Sequence, residues 1–94
     1  MSEPQIPIRL TYERWYHIVE NHDELASCYY DVLDTVENPQ FVIQGNKGCL
    51  KATRNIGKRK WCVVVYKELS KHDGFVITAY FLDAKPKGEI VWQR

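Results

Sequence analysis

The stretch Thr11–Glu24, TYERWYHIVENHDE, decides how the rest of the chain is read. Thr11 is a good helix N-cap, and Glu13 in the first turn suits the positive end of the helix dipole. Trp15, Ile18 and Val19 form a narrow apolar stripe, with Tyr12 and Tyr16 beside it. Leu10 before the cap and Trp15 at the fourth helical position are placed for a hydrophobic staple. This helix is expected to fray near Asn21–His22.

Working outward, Asp23 is expected to cap a second helix. Leu25, Cys28, Tyr29, Val32, Leu33 and Val36 follow the spacing of one helix face, and Asn38–Pro39 ends it. On the other side, Pro4 and Pro7 make the N-terminus extended. The alternation of Ile6, Ile8 and Leu10 allows a short strand there.

From Gln40 the period changes to two. Strands are expected at Phe41–Ile43, Cys49–Ile56, Trp61–Glu68, Phe75–Leu82 and, as an edge, Glu89–Trp92. The turn chemistry between them lies in Gly45–Gly48, Gly57–Lys60, Lys71–Gly74 and Lys85–Gly88. Loops this short join antiparallel neighbours. The expected fold is therefore α+β, a single domain of 94 residues. Two helices within 11–37 pack on a four- to five-stranded antiparallel meander over 40–93. Alternation puts Phe75, Ile77, Ala79 and Phe81 on one side of the last long strand, and Val76, Thr78, Tyr80 and Leu82 on the other. Tyr66 shares a side with Cys62 and Val64. Lys51 and Thr53 share a face opposite to Arg54.

Composition narrows the function classes. With 45% apolar and 27% charged residues the chain is an ordinary globular one. No apolar run reaches the length of a membrane span, and the N-terminus lacks the features of a signal peptide, so a cytoplasmic location without membrane association is the expectation. Cys28, Cys49 and Cys62 have no C-x-x-C spacing, and they read as free thiols. Net charge is +1, but residues 1–46 carry eight anions against two cations, and residues 47–71 carry eight cations against one anion. Such asymmetry either attracts a polyanion to the basic part or is absorbed by pairing within the molecule.

His17 reads either as a hydrogen-bonded structural histidine or as a general acid–base, since imidazole titrates near neutrality. His22 lies about 140° further round the helix, poor spacing for a shared metal. No carboxylate cluster has metal-site spacing, so no metal or other cofactor is expected. His72 falls in a turn. Thr78 and Tyr80 are hydroxyls in an otherwise apolar strand, and Lys51 and Arg54 are cations borne on a strand. P-loop, nucleophile-elbow and dinucleotide motifs are absent.

The segments RWYHIVENHDEL, CLKATRN, WCVVVYKE and GFVITAYF resemble motifs of the Barnase–EndoU–colicin–RelE superfamily of small nucleases, in its phage-associated and BrnT-like branches. The resemblance spans roughly Ile8 to Phe81. It implies a RelE-like fold and a metal-independent, toxin-type endoribonuclease that leaves a 2′,3′-cyclic phosphate. The implied site is His17, Lys51 or Arg54, Thr78 and Tyr80; His22, Lys58, Arg59, Lys60 and Tyr66 are the expected substrate-binding residues. BrnT-like members carry an arginine–serine pair where this chain has Ile77–Thr78. The implied partners are RNA and a protein antitoxin or inhibitor, and the edge strand offers pairing with a second copy. The residues alone leave a rival reading: a non-catalytic module whose basic hairpin holds a nucleic acid or an acidic protein.

Overall fold

The computed structural model describes residues 7–94, so the expectations for Pro4 and Ile6 fall outside the described residues. The chain runs β1 (Ile8–Arg9), α1 (Tyr12–Asn21), a 3-10 turn (Asp23–Leu25), α2 (Tyr29–Glu37), β2 (Phe41–Gln44), β3 (Leu50–Gly57), β4 (Lys60–Ser70), β5 (Asp73–Leu82) and β6 (Ile90–Gln93). It is an α+β protein with two α-helices and one six-stranded mixed sheet, ordered β1-β5-β4-β3-β2-β6.

The β2–β5 segment is the expected antiparallel meander. Its two edges are closed by the two ends of the described chain. β1 pairs with β5 in parallel, Ile8 opposite Gly74, and β6 returns across the sheet to pair with β2. The meander expectation put β6 beside β5 and the sheet all antiparallel; both points are corrected here. The reason is that Asp83–Glu89 is long enough to cross the end of the sheet, whereas the outer edge of β5 is taken by β1. Gly88, at φ +150°, lets this strap lie on Ile43, where a Cβ would stand 3.3 Å from its Cδ1.

The cap of α1 is as the sequence indicates: Thr11 Oγ1 accepts from the Arg14 amide at 3.1 Å. The second helix, however, starts at Tyr29 rather than Asp23. Residues 23–25 form a 3-10 turn that drives Leu25 completely into the core before the chain reverses. A continuous helix from Asp23 would have carried Leu25 along the α2 axis, so burial of that one side chain overrides helical spacing.

The core lies between the helices and one face of the sheet. Ile18, Leu25 and Val32 pack on Val42, Ala52, Cys62, Val64, Tyr66, Val76 and Ala79. Alanines at the centre, both fully buried, let the helices approach closely. Thr35 and Thr53 are fully buried, and their hydroxyls donate to the Asp31 and Phe41 carbonyls at 2.7 and 3.0 Å.

Register shows which side chains share a face. Val65 pairs with Thr78 but Tyr66 pairs with Val76, so Ile77 is an extra residue in β5. This bulge corrects the alternation expected for that strand. Val76 joins Ala79 and Phe81 beneath the helices, whereas Phe75 joins Thr78 and Tyr80 on the opposite face. The assignments made for β3 and β4 agree with the register: Lys51 and Thr53 face away from Arg54, and Tyr66 sides with Cys62 and Val64.

A candidate active site on the open face of the sheet

The face opposite the helices is covered only in part. The strap shields its β2 side: Lys85 Nζ sits 5.2 Å over the Phe41 ring, which also meets Trp61 at 5.8 Å. Phe41 and Ile43 are buried as a result, while Lys51, Val65, Thr78 and Tyr80 stay half-buried towards the β5 side. Ile43, Lys51, Val65 and Thr78 form one row across β2–β5. Lys51 and Thr78 are therefore two strands, about 10 Å, apart on one face. Tyr80 follows Thr78 on the same face, about 7 Å along the strand.

His22 is brought to this face at the edge of β5. β1 covers β5 only at Gly74 and Phe75, and α1 lies along the remainder. Arg14 Nη1 donates to the carbonyl of the bulged Ile77 at 3.4 Å, and eight residues later the His22 ring meets the Tyr80 ring at 6.2 Å between centroids. His22 leaves the helix at φ −140°, ψ 72°, which turns its ring towards the sheet edge instead of continuing the helical spiral. Its Nδ1 faces Glu24 Oε2 at 3.7 Å.

The structure thus puts Lys51, Thr78 and Tyr80 on one face and His22 against Tyr80, apart from the other expected site residues. His17 lies on the outer flank of α1, its side chain 63% exposed; its charged neighbour is Glu20, at 3.9 Å. Arg54 is on the helical face, where Nη1 donates to the Asn38 carbonyl at 2.9 Å and Nη2 pairs with Asp34 at 3.4 Å. It closes the C-terminus of α2, a position that favours a cation. Tyr66 is a core residue, and burial pushes its phenol up to about 12. Lys58 and Arg59 form the exposed tip of the β3–β4 hairpin, Arg59 at φ 56°. Lys60 lies over the Phe81 ring at 4.4 Å.

The sequence alone did not bring His22 together with Tyr80 or Glu24. The helix-ending signal at Asn21–His22 was legible, but nothing local shows which sheet edge a departing histidine meets. All three cysteines are free, and burial pushes the Cys62 thiol up to about 11. Among the described residues no three His, Cys, Asp or Glu side chains converge at metal-binding distance, and no helix is long and apolar enough to cross a membrane. Comparison with protein-family models, with curated proteins and with solved structures finds no match.

Proposed function

We propose that the protein is a metal-independent endoribonuclease of toxin type, with a RelE-like fold. The observation that carries this reading is the His22–Tyr80 contact at the edge of a face that also presents Thr78 and Lys51. In support, helices followed by an antiparallel meander is the layout that the resemblance to the Barnase–EndoU–colicin–RelE superfamily implies.

His22 Nε2 takes the proton of a ribose 2′-OH, with Glu24 facing Nδ1 and orienting the ring. The 2′-oxygen attacks the adjacent phosphorus, the P–O5′ bond breaks, and the 5′-oxygen takes a proton from solvent. Lys51 and the hydroxyls of Thr78 and Tyr80 offset the charge that grows on the phosphate oxygens. A base unstacked from the RNA rests on the Tyr80 ring. In this scheme the base is His22 rather than His17, and Arg54 has a structural role.

The test is cleavage of a mixed RNA pool in EDTA by the wild type and by His22→Ala, His17→Ala and Tyr80→Phe. The expected result is a 2′,3′-cyclic phosphate product, loss of about 100-fold or more in His22→Ala, and little change in His17→Ala. Cleavage of DNA and RNA at equal rates would refute the mechanism, because DNA lacks the 2′-OH.

A second reading is favoured by the tip of the β3–β4 hairpin, where Lys58 and Arg59 are exposed and form no ion pair among the described residues. A non-catalytic module holding RNA by this tip would show affinity that falls steeply with salt and depends on Lys58 and Arg59, but not on His22.

A further inference from the structure

The helical layer carries a second feature that the nuclease reading does not use. Tyr12, Trp15, Tyr16, Val19, Ala26 and Tyr29 line an open groove of about 390 Å³ between α1 and the start of α2. The aromatic rings form two edge-on chains. Tyr12 meets Tyr16 at 5.8 Å; Trp15 meets Tyr29 at 5.1 Å, and Tyr29 meets Tyr30 at 5.3 Å. Each edge-on contact covers one face of one ring only. Tyr12 and Tyr30 are each 80% exposed and Tyr16 is 62% exposed, so packing does not explain their presence.

The surroundings are strongly anionic. Residues 11–37 hold seven carboxylates against one arginine, and that arginine is turned away to the Ile77 carbonyl. Glu13 lies between Tyr12 and Tyr16 in sequence, and Asp23 stands between Val19 and Ala26. Neither of these two carboxylates has an ion-pair partner among the described residues. Exposed aromatic faces within an uncompensated acidic rim suit a cation: the ring quadrupole and the carboxylates attract the same charge. The same field repels nucleic acid.

We propose that this groove binds a basic segment of a protein partner, seating arginine or lysine side chains on the faces of Tyr12, Tyr16 and Trp15. The inference is independent of the endoribonuclease reading. The groove uses the helical layer, not the open sheet face, so partner and RNA can be held at the same time.

The test uses a fluorescein-labelled nonapeptide of alternating arginine and alanine, titrated into the full chain at low salt. Binding is read by anisotropy. The expected result is saturable binding that weakens about tenfold or more in the double variant Tyr12→Ala/Tyr16→Ala. Tyr12→Phe/Tyr16→Phe should retain it, and Lys51→Ala should leave it unchanged. Both tyrosines are exposed, so the variants are expected to fold, which circular dichroism checks. Equal affinity of the wild type and the alanine double variant would overturn the proposal, since charge alone would then account for binding. Tighter binding of a single-stranded RNA than of the peptide, lost in the same double variant, would also overturn it.

Discussion

Replacing Arg54 by alanine separates a catalytic arginine from a structural one. The guanidinium donates to the Asn38 carbonyl at 2.9 Å and pairs with Asp34 at 3.4 Å; its side chain is 31% exposed and that of Asp34 50%. A hydrogen bond from a charged donor to a carbonyl contributes about 1.5–3 kcal/mol, and partial exposure favours the lower part of that range. The ion pair, half in solvent, adds about 0.5 kcal/mol or less. The total expected loss is about 2 kcal/mol, which for a domain of this size lowers the melting temperature by about 8–16 °C. Arg54→Lys should recover only part of it, since an ammonium cannot present the planar fork that reaches both partners. Asp34→Ala should cost less than Arg54→Ala, because the carbonyl bond survives. The assay is thermal melting by circular dichroism. RNA cleavage by the folded protein is measured beside it at a temperature where both proteins are native. The expected outcome is a large drop in stability with cleavage per folded molecule unchanged. A melting temperature within about 2 °C of wild type, together with lost cleavage, would refute the assignment of Arg54 to the end of α2.

Gly74→Ala tests the β1–β5 pairing. A Cβ there would stand 2.6 Å from Ile8 Cδ1 and 2.9 Å from the Lys67 carbonyl oxygen. The methyl can rotate away but the backbone oxygen cannot, so a loss of about 1–3 kcal/mol is expected in a urea titration, and adding Ile8→Ala should restore only part of it. Alkaline pH tests the buried acids. Both Cys62 and Tyr66 have folded-state values raised above their unfolded ones, from 9.0 to about 11 and from 10.0 to about 12. The unfolded chain therefore releases these protons first. Their contribution is intact below pH 9, then falls between 9 and 11 for Cys62 and between 10 and 12 for Tyr66, at about 1.4 kcal/mol per pH unit for each group. Stability measured against pH should show this decline, and Cys62→Ala should delay its onset by about one unit; a flat profile up to pH 11 would contradict the burial argument.

Much of the fold was legible because its signals are local. Thr11 caps α1 through a bond to an amide three residues away, and the glycine and lysine turns delimit β2 to β5 within a residue or two. The faces of Lys51, Thr53 and Arg54 followed from simple alternation, since β3 is regular where they stand. The site was legible in its residue types but less so in its membership. Thr78, Tyr80 and Lys51 do share a face. His22 reaches Tyr80 only because α1 lies along the edge of β5, a relation between segments 58 residues apart along the chain. Arg54 looked available for a substrate because nothing in its own strand indicates that the end of α2 lies above it.

The sequence by itself determined the α+β class, the helix start, the strands of the meander and the charge separation between its two parts. Each depends on side-chain periodicity, turn chemistry or composition, which are properties of neighbours along the chain. Tertiary structure alone decided that β1 joins β5 in parallel, that β6 crosses to β2, and that Leu25 breaks the second helix by entering the core. It also decided that the bulge at Ile77 exchanges the faces of Phe75 and Val76. These outcomes come from competition among distant segments for two open sheet edges and one buried volume. One extra residue in a strand leaves its composition unchanged and reverses every side chain beyond it.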